Sequence, residues 1–188
     1  MTQSRTRRAL SPLDEGKLNE LALRYVGRFA TTRAKLRDYL ARKVRERGWG
    51  GAREPDFNAI ASQFAERGYI DDAAYALGRS QALARRGYGK RRVLDTLRRA
   101  GIEDEDGVAA RLHTELEAVD SALRFARKRR LGPFAQAQVS DPKQREKAIA
   151  AMIRAGHGYG LARAVVLLAP GDSIDLENLA DQVRLTAA

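Results

Sequence analysis

Residues 85–101 read "RRGYGKRRVLDTLRRAG". Two glycines, a lysine and a run of arginines lead into an apolar pattern of helical spacing. The pattern has a counterpart earlier in the chain. Sliding "LRDYLAR" onto "VLDTLRR" pairs Leu36 with Val93, Asp38 with Asp95, Leu40 with Leu97 and Arg42 with Arg99. In both copies an arginine follows the aspartate by four residues, which makes the two neighbours on one helix face. The end of the stretch, "LRRAG" at 97–101, returns as "MIRAG" at 152–156, and "ALRY" at 22–25 returns as "ALRF" at 122–125. Recurrence of this kind is the signature of a repeat architecture. It points to three copies of a helix-helix-helix unit.

Helical periodicity dominates elsewhere too, and no segment reads as a strand. In "ATTRAKLRDYLARKVRERG", Leu36, Leu40 and Val44 recur every four residues with Tyr39 beside them, and Thr31 or Thr32 can cap the start. "EPDFNAIASQFAERGY" repeats the logic with Phe57, Ile60, Ala61 and Phe64, and ends at Gly68. In "SDPKQREKAIAAMIRAG", Asp141 precedes Pro142 at the first helical position, with Gln144 completing a capping box. The expected architecture is all-α, an elongated tandem array of three three-helix repeats. A flexible tail over 1–13 precedes repeats at 14–68, 69–116 and 117–169, and a tail over 170–188 carries one short helix. The expected helices span about 14–30, 33–47, 56–67, 72–86, 90–100, 104–115, 117–130, 142–155 and 159–168. Near 115–117 there is no glycine or proline, so two helices there can run together.

Charge alternates in step with the repeats. Residues 24–53 hold ten basic side chains against two acidic ones, whereas residues 54–78 hold one against five. The alternation continues to the end, so the first two helices of each copy are basic and the third is acidic or nearly neutral. The net charge of +11 and the pI near 10.4 favour a polyanionic partner or an acidic surface. No cysteine is present, which removes disulfides, thiolate chemistry and cysteine-held zinc. The opening "MTQSRTRRALSPLDEG" lacks the apolar centre of a signal peptide, and no apolar run is long enough for a bilayer. A cytoplasmic monomer with no cofactor and no membrane association is expected.

Residues 66–102, "ERGYIDDAAYALGRSQALARRGYGKRRVLDTLRRAGI", resemble the RecX family, regulators of the RecA recombinase. The resemblance rests on Gly68-Tyr69-Ile70-Asp71-Asp72, on the turn and basic helix from Gly87 to Arg92, and on Arg99-Ala100-Gly101-Ile102. The third copy's "IRAGHGYGLARAVV" resembles the family's final segment, departing from it at Gly158 and Gly160-Leu161. The likeness covers roughly residues 18–168, with "RERGWGGAREP" as an insertion in the first copy. It implies a modular helical protein that binds in the groove of the RecA–single-stranded DNA filament. There it would restrain strand exchange, ATP hydrolysis and the cleavage of partner repressors. The alternative is a helical-repeat DNA-binding protein that acts without RecA.

The opening stretch is not a Walker loop. That loop needs Ser or Thr after Gly-Lys and a strand before it, but Arg91 follows Gly89-Lys90 here. Two readings of it stand. Gly87 and Gly89 let the chain turn between helices. In addition, the exposed amides that open the next helix, with Lys90, Arg91 and Arg92, can hold a phosphate or carboxylate. A contact strip for nucleic acid or partner is expected at Arg33, Lys35, Arg85, Arg86, Lys90, Arg91, Arg92 and Arg98. Trp49, among glycines, either packs over a helix end or stacks on a base. Catalytic inventory is poor. His113 and His157 lie in no metal pattern, no serine occupies a Gly-x-Ser-x-Gly setting, and "EDED" at 103–106 reads as the acidic start of a helix. No enzyme activity is expected.

Overall fold

A computed structural model describes residues 11–185. Their secondary structure is helical, with ten α-helices and a single 3₁₀ turn at Gly132–Phe134. No strand forms among the described residues. The chain divides into two compact units, one running to Asp72 and the other starting at Ala73.

The first unit is built from α1 (Glu15–Val26), α2 (Arg33–Arg47) and α3 (Phe57–Glu66). Each begins on a side chain that accepts from a backbone amide three residues on: Asp14 from Lys17, Thr32 from Lys35 and Asp56 from Ala59. These caps satisfy donors that the first helical turn leaves unpaired. Of the two threonines able to cap α2, Thr32 does so. The expected apolar stripes converge on one core: Leu36, Leu40, Ala61 and Phe64 are buried with Leu18, Ala22 and Ile70, and Tyr39, Val44, Phe57 and Ile60 pack around them. Tyr25 stacks on Tyr39 at 4.2 Å between ring centroids.

Most of the expected N-terminal tail, residues 1–10, lies outside the described residues. Its last part is not loose. Leu13 is fully buried, its amide donates to Gly48 O at 2.9 Å, and its carbonyl accepts from Gly50 N at 2.8 Å. Trp49 beside it donates from Nε1 to Arg53 O at 2.7 Å and packs against the core. The tryptophan therefore packs within the fold, as the first of its two readings had it. The insertion "RERGWGGAREP" clasps the segment that enters α1.

The second unit contains α4 (Asp72–Arg85), which the unit boundary cuts after its first residue, α5 (Lys90–Arg99), α6 (Val108–Leu116), α7 (Ala118–Arg129), α8 (Pro142–Arg154), α9 (Tyr159–Leu167) and α10 (Leu176–Leu185). It holds two buried clusters. Ala76, Leu83, Val93, Leu97 and Ala110 join α4, α5 and α6. Ala122, Ala126, Met152, Leu161, Ala162, Val165, Val166 and Leu179 join α7 to α10. The last helix is part of that second cluster: Leu179 is buried, and Ile174 and Val183 pack on it. The C-terminal segment thus packs with α7 to α9 and is more than a tail. α6 and α7 are separated by Glu117 alone, close to the continuous helix that the missing glycine or proline suggested.

Two local expectations are corrected. The acidic run 103–106 precedes α6 instead of opening it, because Gly107, a poor helix former, supplies the cap and the helix proper starts at Val108. The carboxylates still lie near the positive end of α6, where Asp104 pairs with Arg111. Asp141 caps α8 through Lys143 N, two residues on, where a capping box would use the third.

Candidate functional site

The predicted strip falls in both units. Arg33 opens α2, where its Nε meets Asp72 Oδ2 at 3.1 Å and its amide donates to Asp72 Oδ1 at 3.0 Å. Asp72 is buried, so Arg33 is committed to a structural ion pair. Lys35, two residues along, is half-buried. In the second unit Arg85, Arg86 and Arg91 are exposed. Lys90 pairs with Glu115 at 2.7 Å and Arg98 with Asp95 at 2.7 Å, while Arg92 lies over the Tyr88 ring. Arg86 also takes part through its carbonyl, which accepts from Lys128 Nζ at 3.1 Å, beside Ala84 O accepting from Arg124 Nε at 3.2 Å. Two cations of α7 thereby cap the carbonyls that end α4.

The glycine turn at 87–89 is engaged by a second turn. The α4–α5 turn, Gly87-Tyr88-Gly89, meets the α8–α9 turn, Gly156-His157-Gly158. Gly89 N donates to Ala155 O at 3.0 Å and Arg91 N donates to Gly156 O at 3.1 Å. A Cβ on Gly89 would stand 2.5 Å from Gly156 O, and one on Gly156 would stand 2.5 Å from Arg92 N. Two of the amides that start α5, those of Gly89 and Arg91, are therefore already taken by another turn's backbone. His157 closes the contact. Its ring is buried, and Nε2 lies 3.0 Å from Gly87 O. A carbonyl only accepts, so Nε2 carries the hydrogen. Burial pushes the imidazole pKa below its ordinary value, which keeps the ring neutral.

Beside this interlock the structure opens a groove of about 580 Å³. Four cations line it: Arg92 from α5, Arg129 from α7, and Lys147 and Arg154 from α8. Arg92 lies over Tyr88 at 5.8 Å and Arg129 over Phe125 at 5.9 Å, so two guanidinium groups rest on rings at the groove wall. Ala148, Ala151 and Ala155 pave the α8 side, since residues three and four apart share a helix face. No acidic side chain lines the groove, and none of the four cations is ion-paired with another described residue. The arrangement presents positive charge above a small-residue floor, the chemistry of an anion-binding cleft.

No protein-family model matches the chain. A protein named "Regulatory protein RecX" from Myxococcus xanthus is 32% identical to it over 157 residues, 79% of this chain and 83% of that protein. The chain belongs to the RecX family. A crystal structure of RecX from Lactobacillus salivarius is similar with a TM-score of 0.63 at 20% identity, covering 80% of this chain and 93% of that one. That likeness concerns the helical fold.

In this RecX-family chain, Arg92 alone of the predicted strip reaches the groove. Arg129, Lys147 and Arg154 were not among the expected site residues. Part of the signal was present, because Lys147 and Arg154 are seven residues apart and so share a face of α8. What the spacing could not reveal is that α5 and α7 turn cations toward that same face. Among the described residues no helix is long and apolar enough to cross a membrane, and no group of three His, Asp or Glu side chains is placed to hold a metal.

Proposed function

We propose that this chain regulates the RecA recombinase by binding the RecA–single-stranded DNA filament and inhibiting its ATPase, strand-exchange and coprotease activities. The observation that carries this reading is membership of the RecX family, seen in a relative 32% identical over 79% of the chain. The physical make-up agrees with it. Basic helices offer arginine and lysine to the phosphates of filament-bound DNA, which releases counterions and makes affinity fall with salt. The acidic stretches that lead into α3 and α6 offer a different surface to the protein wall of the filament. A body that touches successive recombinase subunits restrains the movements that accompany ATP turnover. In this reading the chain works as a cytoplasmic monomer and carries out no reaction of its own.

The same proposal treats the helices as three copies of one triplet, α1–α3, α4–α6 and α7–α9. Three separate buried clusters, one to each triplet, support that view. It retains Lys35, Arg85, Arg86, Arg91 and Arg92 as contact residues. Arg33, Lys90 and Arg98 contribute less, because each already holds a carboxylate.

The test is RecA ATPase and strand exchange on single-stranded DNA with the protein present at sub-stoichiometric amounts, beside its binding to the same DNA alone. Inhibition well below the dissociation constant for bare DNA supports filament regulation. Tight binding to bare DNA with no effect on either recombinase activity would leave a DNA-binding protein that acts without RecA.

A further inference from the structure

We infer that the groove between α5, α7 and α8 is a single-stranded nucleic acid subsite. Phosphates would be held by Arg92, Arg129, Lys147 and Arg154, with a base laid against the alanine floor. The inference deepens the reading above and rests on it only for single-stranded DNA being the polymer met in the filament.

Three features point to this ligand. The four cations converge on one cleft from three helices, with no acid among its lining residues. A solvated charged face has no reason to converge in this way. Lys147 and Arg154 are two helical turns apart, about 10 Å along α8, so they meet different phosphates of one extended strand. Arg92 and Arg129 lie over aromatic rings, which leaves flat guanidinium faces at the wall on which a planar base can stack. An acidic peptide is the other polyanion to weigh. It would want hydrogen-bond partners for its own amide groups, and Gln144 is the one uncharged amide side chain among the lining residues. A strand of nucleotides has no such backbone to satisfy.

The subsite also accounts for the interlocked turns. Tyr88 and Ala155 belong both to those turns and to the groove wall, and the Phe125 ring of that wall lies 5.8 Å from His157. The backbone bonds from Gly89 and Arg91 therefore fix the distance between α5 and α8. A cleft held in this way is shaped before the strand arrives, and less freedom is lost on binding.

The experiment uses the full chain and a fluorescent oligothymidylate, with no recombinase present. The double variant Lys147→Glu and Arg154→Glu is compared with Arg99→Glu and Arg163→Glu. The second pair makes the same change in net charge at exposed positions outside the groove. The groove pair is expected to lose at least about tenfold in affinity and to flatten the salt dependence by roughly 1.4 in slope, the value for two phosphate contacts on a single strand. The control pair is expected to change affinity less than about threefold, through bulk charge alone. Equal losses in the two pairs, or none in the groove pair, would overturn the assignment. So would loss of polyglutamate binding with DNA binding intact, which would give the groove to an acidic peptide. Lys147→Gln with Arg154→Gln repeats the comparison with a milder change if the glutamates reduce helicity. A separate measurement of RecA ATPase keeps the two ideas apart. Normal inhibition by a groove variant that has lost bare DNA removes the subsite from the mechanism. A wild type that binds bare DNA through the groove but leaves RecA unaffected removes the recombinase reading and keeps the subsite.

Discussion

α2 and α5 align residue for residue in sequence, yet they begin in opposite ways. α2 starts on Thr32, whose hydroxyl takes the Lys35 amide, and Asp72 takes the Arg33 amide. Side chains satisfy its open donors. α5 starts on Gly89 with no side-chain cap, and its donors go to the carbonyls of Ala155 and Gly156. Every helix start leaves amides that need acceptors. Where a threonine and an aspartate supply them, the helix is finished by its own unit's side chains. Where glycines stand instead, the backbone is bare enough for another turn to supply them, and the two helical clusters of the second unit become tied together. The glycines mark a joint where a nucleotide loop had been the natural question.

The largest break in that comparison should come from Gly156→Ala. The new methyl meets the Arg92 amide, and the residue is held at a φ of 99° that side chains disfavour. Overpacking and backbone strain together should cost the second unit about 3–4 kcal/mol. Thermal unfolding followed by far-ultraviolet circular dichroism would register it. Emission from Trp49, the one tryptophan, reports on the first unit and should keep its transition.

His157→Ala comes next, at about 3 kcal/mol, from a cavity and an unsatisfied Gly87 carbonyl. The same residue sets a pH dependence. Above about 6.5 the imidazole is neutral in both folded and unfolded chains, so it contributes no slope. As pH falls through that value the unfolded chain takes up the proton first, since burial lowers the folded pKa. Stability of the second unit then declines until the folded pKa is passed, and levels off. Denaturant titrations between pH 7 and 5 should show the decline in the wild type and a flatter profile in His157→Ala.

On the α2 side, Asp72→Ala should cost about 2 kcal/mol, because it strips the Arg33 amide and guanidinium of one shared acceptor. Here the Trp49 transition should move. Thr32→Ala is the mildest, at about 1 kcal/mol, with Thr32→Ser close to wild type since the hydroxyl remains. If Thr32→Ala shifted the second unit more than the first, the contrast between the two helix starts would be wrong.

Much of the helical layout was legible because its punctuation is local. Thr32, Pro142 and the glycines after Arg47 and Arg154 set boundaries within a residue, and the four-residue apolar stripes identified the faces that became buried. Where reading failed, the cause was distant or competing. The start of α6 was misplaced because four carboxylates resemble a first helical turn, while Gly107 defers it. Leu13 looked like tail because its partner, the Gly48–Gly50 backbone, lies some 35 residues away. The groove was hidden for a like reason, as its cations belong to three helices and no spacing along one of them shows their convergence.

The bond between His157 and Gly87 spans seventy positions of the chain. On a ribosome adding about 5–20 residues per second, the later partner is made roughly 4–14 s after the earlier one. Through that interval the nascent α5 lacks the acceptors that complete its first turn, whereas every acceptor needed by α2 has been made once Asp72 is in place. Synthesis itself therefore orders the assembly, with the amino-terminal bundle settled while the remainder waits for its clasp.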